Sequence, residues 1–121
     1  MKKIIFTLLI ATLIITSCAN NQNATLIIGD WRGVDWVRNG EPSGYDADAV
    51  SFQFSDKGTY TYSYAAVKEE GTFKVENDML FTKPEGGLEI MVKIAKLNAD
   101  TLVFDMSRSG ISESLVLVKK K

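Results

Sequence analysis

The run Val50-Ser51-Phe52-Gln53-Phe54-Ser55-Asp56-Lys57-Gly58-Thr59-Tyr60-Thr61-Tyr62-Ser63-Tyr64 alternates apolar and polar residues on both sides of a turn signal. That is the pattern of a β-hairpin with one buried face. Ser55-Asp56-Lys57-Gly58 reads as a type I turn whose Gly58 takes the left-handed bulge position. Ser55 then faces Thr59, and counting outward pairs Phe54 with Tyr60, Phe52 with Tyr62 and Val50 with Tyr64. Every large side chain falls on one face, with Thr59, Thr61 and Ser63 on the other, and a slip of one residue would scatter them.

The same alternation continues outward in both directions. It predicts eight strands, over 31–38, 50–55, 59–66, 72–76, 79–83, 88–97, 101–106 and 111–119. Turn chemistry separates them, as in Asn77-Asp78, Pro84-Glu85-Gly86-Gly87, Asn98-Ala99-Asp100 and Ser107-Arg108-Ser109-Gly110. Both prolines, Pro42 and Pro84, are expected in connections. In the first strand, strict alternation places Trp31, Gly33, Asp35 and Val37 on one face and Arg32, Val34 and Trp36 on the other. A four-residue link over 67–70 would set Phe73 beside Tyr64 and Val75 beside Tyr62, and Asn77-Asp78 would set Leu80 beside Val75. The last hairpin permits two registers. One turns Ser112 and Ser114 inward with Val116, and the other buries Ile111, Leu115 and Leu117. Eight short strands leave two exposed edges unless the sheet closes. The expected fold is therefore all-β, an eight-stranded up-and-down antiparallel meander barrel, with a two-sheet β-sandwich as the alternative.

Composition narrows the chemistry. The chain has 121 residues, 45% hydrophobic and 24% charged, with a net charge of -1, the profile of one ordinary globular domain. With no histidine, imidazole cannot serve as base, acid or metal ligand. A nearly balanced charge without a long basic stretch argues against nucleic acid as a partner. Asp46 and Asp48 supply two carboxylates where calcium wants six or more oxygens, so no metal site is expected. Glu69-Glu70 reads as a solvated turn and 119–121 as a frayed lysine end. No Ser-X-X-Lys or Gly-X-Ser-X-Gly motif is present, no catalytic residue or cofactor is implied, and an enzyme is not expected.

The start of the chain reads as a targeting segment. Met1-Lys2-Lys3 and the apolar run 4–15 have the charged and hydrophobic regions of a secretory signal, too short to span a bilayer comfortably. The run ends in Ile15-Thr16-Ser17-Cys18, which resembles the lipobox of bacterial lipoproteins. That resemblance implies a signal peptide over 1–17, lipidation of Cys18 with acyl chains such as palmitate, a polar tether through residue 24, and a barrel domain over 25–121. The mature chain would have 121 - 17 = 104 residues and a charge of 12 - 15 = -3. Several acyl chains, at about 0.8 kcal/mol per buried methylene, anchor a protein permanently. Ala19 after the cysteine resembles the pattern of lipoproteins sent to the outer membrane, so a lipid-anchored, cell-envelope protein is expected, with the membrane as one partner and a monomer as its state.

Gly29-Asp30-Trp31 at the head of the first strand resembles the Gly-X-Trp signature of lipocalins. Phe52-X-Phe54, Asp56-X-Gly58-X-Tyr60 and Leu97-Asn98-X-Asp100-Thr101-Leu102 resemble the lipocalin-like domains of small bacterial lipoproteins. The resemblance implies that Trp31 closes one end of the barrel. The chain departs from true lipocalins in length, in having no C-terminal helix signal or disulfide, and in lacking a clear arginine partner for Trp31. An eight-stranded barrel either fills itself with side chains or holds one small ligand. Here Phe52, Phe54, Tyr60, Tyr62, Tyr64, Phe73, Phe104 and Met106 compete for the interior. Two functions follow. A module binding a small apolar ligand at the barrel mouth would use Tyr60, Tyr62, Tyr64 and Phe104, with Trp36 and Arg38 at the rim beside the loop 39–48, and predicts an open lumen. A protein-interaction or inhibitor module, acting on an envelope protein through the barrel's loops, predicts a filled core.

Overall fold

The computed structural model describes residues 22–120, so the expected signal peptide, the lipobox-like stretch and Cys18 lie outside the described residues. A short helix, α1 (Gln22–Leu26), precedes nine strands: β1 (Gly29–Arg38), β2 (Glu41–Pro42), β3 (Val50–Phe54), β4 (Thr59–Tyr64), β5 (Val67–Glu76), β6 (Met79–Pro84), β7 (Ile90–Leu97), β8 (Thr101–Asp105) and β9 (Glu113–Lys119). Each strand from β3 to β9 pairs antiparallel with the next, and β1 pairs with both β3 and β9. Eight strands thus close into a barrel without a free edge, and the sandwich alternative is set aside. The ninth, β2, is a two-residue addition in which Pro42 faces Val37. Pro84 ends β6 rather than lying in the loop after it. Part of the expected tether, residues 22–24, belongs to α1, whose Asn23 side-chain amide donates to the Asn77 carbonyl at 2.8 Å.

The β3–β4 hairpin has the expected register, Phe54 with Tyr60, Phe52 with Tyr62 and Val50 with Tyr64. Val75 likewise faces Leu80 across a turn whose Asn77 is left-handed. The link between β4 and β5 differs. It is the pair Ala65-Ala66, with Ala65 at φ 51°, and β5 starts at Val67. Tyr62 therefore faces Glu69 and Tyr64 faces Val67. Phe73 instead runs past β4 and packs edge-on against Phe54 at 4.9 Å. The inner face of β5 reads Val67, Glu69, Gly71, Phe73, Val75, and a carboxylate and a glycine in an inner row erase the apolar alternation that marks a strand.

β1 holds a second departure, a register shift between Gly33 and Asp35. One extra residue reverses the alternation beyond it, so Trp36 joins the interior side with Trp31. Gly33 permits this local geometry because its Cα lies under the 3-10 turn Ala47–Ala49: a Cβ would run into the Ala47 carbonyl oxygen and lie 3.1 Å from the Val50 Cβ. In the last hairpin, Ser109 and Gly110 are both left-handed between the bridged pair Arg108 and Ile111, the conformation of a two-residue type I′ turn. The inner row of β9 is Glu113, Leu115 and Leu117, so Ser112 and Ser114 do not turn inward. Ile111 stays half-exposed, and Glu113 takes the remaining inner place.

The two ends of the barrel are unlike. At one, α1 and the turns 55–58, 77–78 and 98–100 cover a packed core of Ile27, Trp31, Phe54, Leu80, Leu102 and Leu117, with Trp31 fully buried. The Trp31 indole donates to the Ile27 carbonyl at 2.8 Å. Lys119 Nζ sits 5.1 Å from its ring centroid and 3.5 Å from the Leu26 carbonyl. A lysine from the last strand thus supplies the cation that the sequence did not offer as arginine. The other end carries the loops 39–49, 85–89 and 106–112 and the turn 65–66, and there the packing stops.

Candidate functional site

A cavity of about 650 Å³ lies in the open half of the barrel. Phe52, Tyr60, Tyr62, Phe104 and Leu115 wall it from below, and Trp36, Met106 and Arg108 stand at its mouth side. Three structural causes keep it unfilled. Gly71 carries no side chain on the inner row of β5, and a Cβ there would run into the Lys83 carbonyl oxygen. Thr82 supplies only a short side chain from β6. Finally, β7 pairs with β8 only from Lys93 onward, so Ile90, Met91 and Val92 have no strand neighbour on that side and the cavity opens between them and residues 105–108.

A second hollow of about 530 Å³ continues the first, sharing Trp36, Tyr62 and Arg108 and adding Arg38, Tyr45, Tyr64 and Glu113. Tyr45, from the loop after β2, stacks on Trp36 at 4.8 Å, and Tyr64 meets Trp36 edge-on at 6.1 Å. The Tyr64 hydroxyl accepts from the Asp46 backbone N–H at 3.1 Å, which ties the loop to the barrel wall. Asp46 itself caps the 3-10 turn by accepting from the Asp48 N–H, and Asp48 pairs with Arg32 at 3.8 Å. These two carboxylates hold the loop.

Of the residues singled out by sequence, Tyr60, Tyr62, Phe104 and Trp36 line the main cavity, while Tyr64 and Arg38 line only the outer hollow. Tyr60 and Phe104 are buried and also belong to the core, so they form the cavity's floor. Trp31 lies at the opposite, closed end. The inner aromatic residues therefore do both jobs that the sequence left open, packing the lower half and walling a hollow in the upper half.

Two functional groups escaped sequence reading. Glu69 is not in a solvated turn: it lies on β5, lines the cavity and accepts a hydrogen bond from the Tyr60 hydroxyl at 2.7 Å. Burial, and then the hydrogen bond and negative charge of Glu69, push the Tyr60 phenol well above its ordinary range, and burial with the same charge raises Tyr62. Glu113 is the buried acid of the described residues; its Oε2 accepts from the Trp36 indole at 2.8 Å and its Oε1 lies 3.9 Å from Arg38 Nε. Alternation with Leu115 and Leu117 was the signal that could have placed Glu113 inward. At the edge of the opening, Ser107 hydrogen-bonds the Asp105 carboxyl through side chain and backbone and holds it below the usual carboxylate range.

An antiparallel up-and-down barrel, capped at one end by a buried tryptophan and hollow at the other, defines a lipocalin-like protein. The chain belongs to the lipocalin-like domain family, whose family model matches residues 27–104. No curated protein matches the chain. Among solved structures it is similar to a lipocalin-like protein from Bacteroides uniformis ATCC 8492, with 11% identity, a TM-score of 0.60, and 78% of this chain and 99% of that one covered. It is also similar to an uncharacterized protein from Bacteroides eggerthii DSM 20697, with 12% identity, a TM-score of 0.58, and 77% and 98% covered. At these identities the likeness is one of fold.

Proposed function

We propose that this protein is a lipid-anchored, outer-membrane lipocalin-like module of the bacterial cell envelope that holds a small, largely apolar ligand at its barrel mouth. The observation that carries the reading is the hollow upper half of the barrel, about 650 Å³ and walled mainly by aromatic and aliphatic side chains. That is the size and character of a small-molecule site. Tyr60, Tyr62 and Phe104 are its floor and wall, and Trp36, Tyr64 and Arg38 are its rim. With Cys18 acylated, α1 at the closed end would lie toward the membrane and the open mouth away from it.

Native mass spectrometry of the protein released from its own membranes in mild detergent tests the binding role. A reproducible small mass that leaves only on denaturation is expected; a chain that carries none, and binds none from an extract of those membranes, would overturn it. Metabolic labelling with a palmitate analogue tests the anchor, with Cys18→Ala expected to lose the label and leave the membrane fraction. A variant that keeps both refutes the anchor. A second reading, in which the loops dock on an envelope protein, is favoured by the apolar rim: Tyr45, Val67, Leu88, Ile90 and Met91 are all more than half exposed. Cross-linking in intact cells from the 85–89 loop would capture that partner.

A further inference from the structure

We propose that the barrel cavity selects an organic cation, a protonated amine on an apolar or aromatic body, with the ammonium seated between the Glu69 carboxylate and the aromatic wall. The proposal rests on the reading of the cavity as a ligand site and names what that site prefers.

Glu69 differs from Glu70 and Glu113 in having no ion-pair partner, and from Asp105, the second acid of the lining, in having no basic residue opposite it. Among the described residues Asp105 has no cation within 4.0 Å either, but it faces Lys93 and is held by Ser107. Its neighbour Glu70 pairs with Lys68 at 3.5 Å, and Glu113, the other inward acid, pairs with Arg38. Among the described residues no lysine or arginine nitrogen lies within 4.0 Å of Glu69, whose side-chain partner is the neutral Tyr60 hydroxyl. The carboxylate projects into a hollow walled by Phe52, Tyr62, Phe104 and Trp36. An apolar ligand filling that hollow would strip water from an ionised group and leave it unpaired, which is costly. An ammonium would replace the lost water with a charge-assisted hydrogen bond, and the π faces of tyrosine and tryptophan add attraction for a cation.

The remaining charges of the lining do not cancel this preference at Glu69. Lys93 and Asp105 face each other across the β7–β8 pair and are set at the lateral opening. Arg108 is exposed on the 106–112 loop, where it can meet the far end of a ligand. An anionic amphiphile would place its headgroup at Arg108 and its tail against Glu69, the arrangement that desolvates Glu69 without a partner.

Three probes with one aromatic body separate these cases: 1-naphthylmethylamine, 1-naphthylmethanol and 1-naphthylacetate, titrated at pH 7 into the full chain and followed by ligand-observed NMR and calorimetry. The amine should bind about tenfold more tightly than the alcohol, and the acid more weakly than either. Glu69→Gln should erase the amine's advantage over the alcohol, and Glu70→Gln, which changes net charge equally, should preserve it. Amine and alcohol binding alike, acid binding best, or an amine advantage that survives Glu69→Gln each overturns the proposal while leaving the cavity a ligand site. Failure of all three probes to enter overturns the cavity reading and the proposal with it.

Discussion

Replacing Glu113 with alanine should destabilise the barrel out of proportion to the side chain's size. Glu113 is only 7% exposed, and its two oxygens face the Trp36 indole at 2.8 Å and the Arg38 guanidinium at 3.9 Å. Truncation leaves the indole N–H of a partly buried tryptophan without its acceptor, at about 1–3 kcal/mol. The Arg38 pair adds at most about 1 kcal/mol, because the guanidinium is half-exposed and its field is screened by water. The sum, about 1–4 kcal/mol, corresponds to a fall in Tm of roughly 5–30 °C for a domain of this size. Glu113→Gln keeps an acceptor for the indole and loses only the charge, so it should cost less than about 1 kcal/mol. Urea unfolding followed by tryptophan fluorescence, with thermal unfolding by circular dichroism, measures both variants. If Glu113→Ala lay within about 0.5 kcal/mol of the parent, the inward placement of Glu113, and with it the register of β9 on β1, would be refuted.

Two further outcomes follow from the interior. Tyr60 and Tyr62 are held neutral above the ordinary phenol value of 10.0, so the stability they contribute is complete below that pH and is lost as pH rises above it. Unfolding free energy should therefore fall above pH 10 by up to about 1.4 kcal/mol per pH unit for each phenol, and Tyr60→Phe should make that decline shallower in a pH series of urea melts. Gly33→Ala drives a methyl group into the Ala47 carbonyl beneath the 3-10 turn, which should cost about 1–3 kcal/mol by urea midpoint, whereas a cost near zero would mean that the turn does not rest on β1.

Much of the barrel was legible because its strands pack one face only, so the period of two survives in the residue types. The β3–β4 hairpin shows this most clearly: three large pairs fix its register, and no slipped alignment buries them. The interior polar groups were illegible for the same reason. Glu69 and Gly71 interrupt the inner row of β5, and without apolar residues there the strand start and the acid that it turns toward the cavity read as a turn. Trp36 was placed on the wrong face because an extra residue at Val34 leaves no mark in composition, yet reverses every side chain after it.

By itself, then, the sequence determined the all-β class, the meander order and the aromatic interior, since each depends on local alternation, turn residues and the burial of large apolar side chains. Trp31 as the closing residue came instead from the resemblance of Gly29-Asp30-Trp31 to the Gly-X-Trp signature. It could not determine how much of the interior those side chains fill. That depends on the bulge in β1, the bare Gly71, and the parting of β7 from β8, which are matters of distance between elements far apart in the chain. Only the closed tertiary structure brings the Tyr60 hydroxyl to Glu69 and the Trp36 indole to Glu113, 77 residues away, and so turns a crowded list of aromatics into a packed lower half and a hollow upper one.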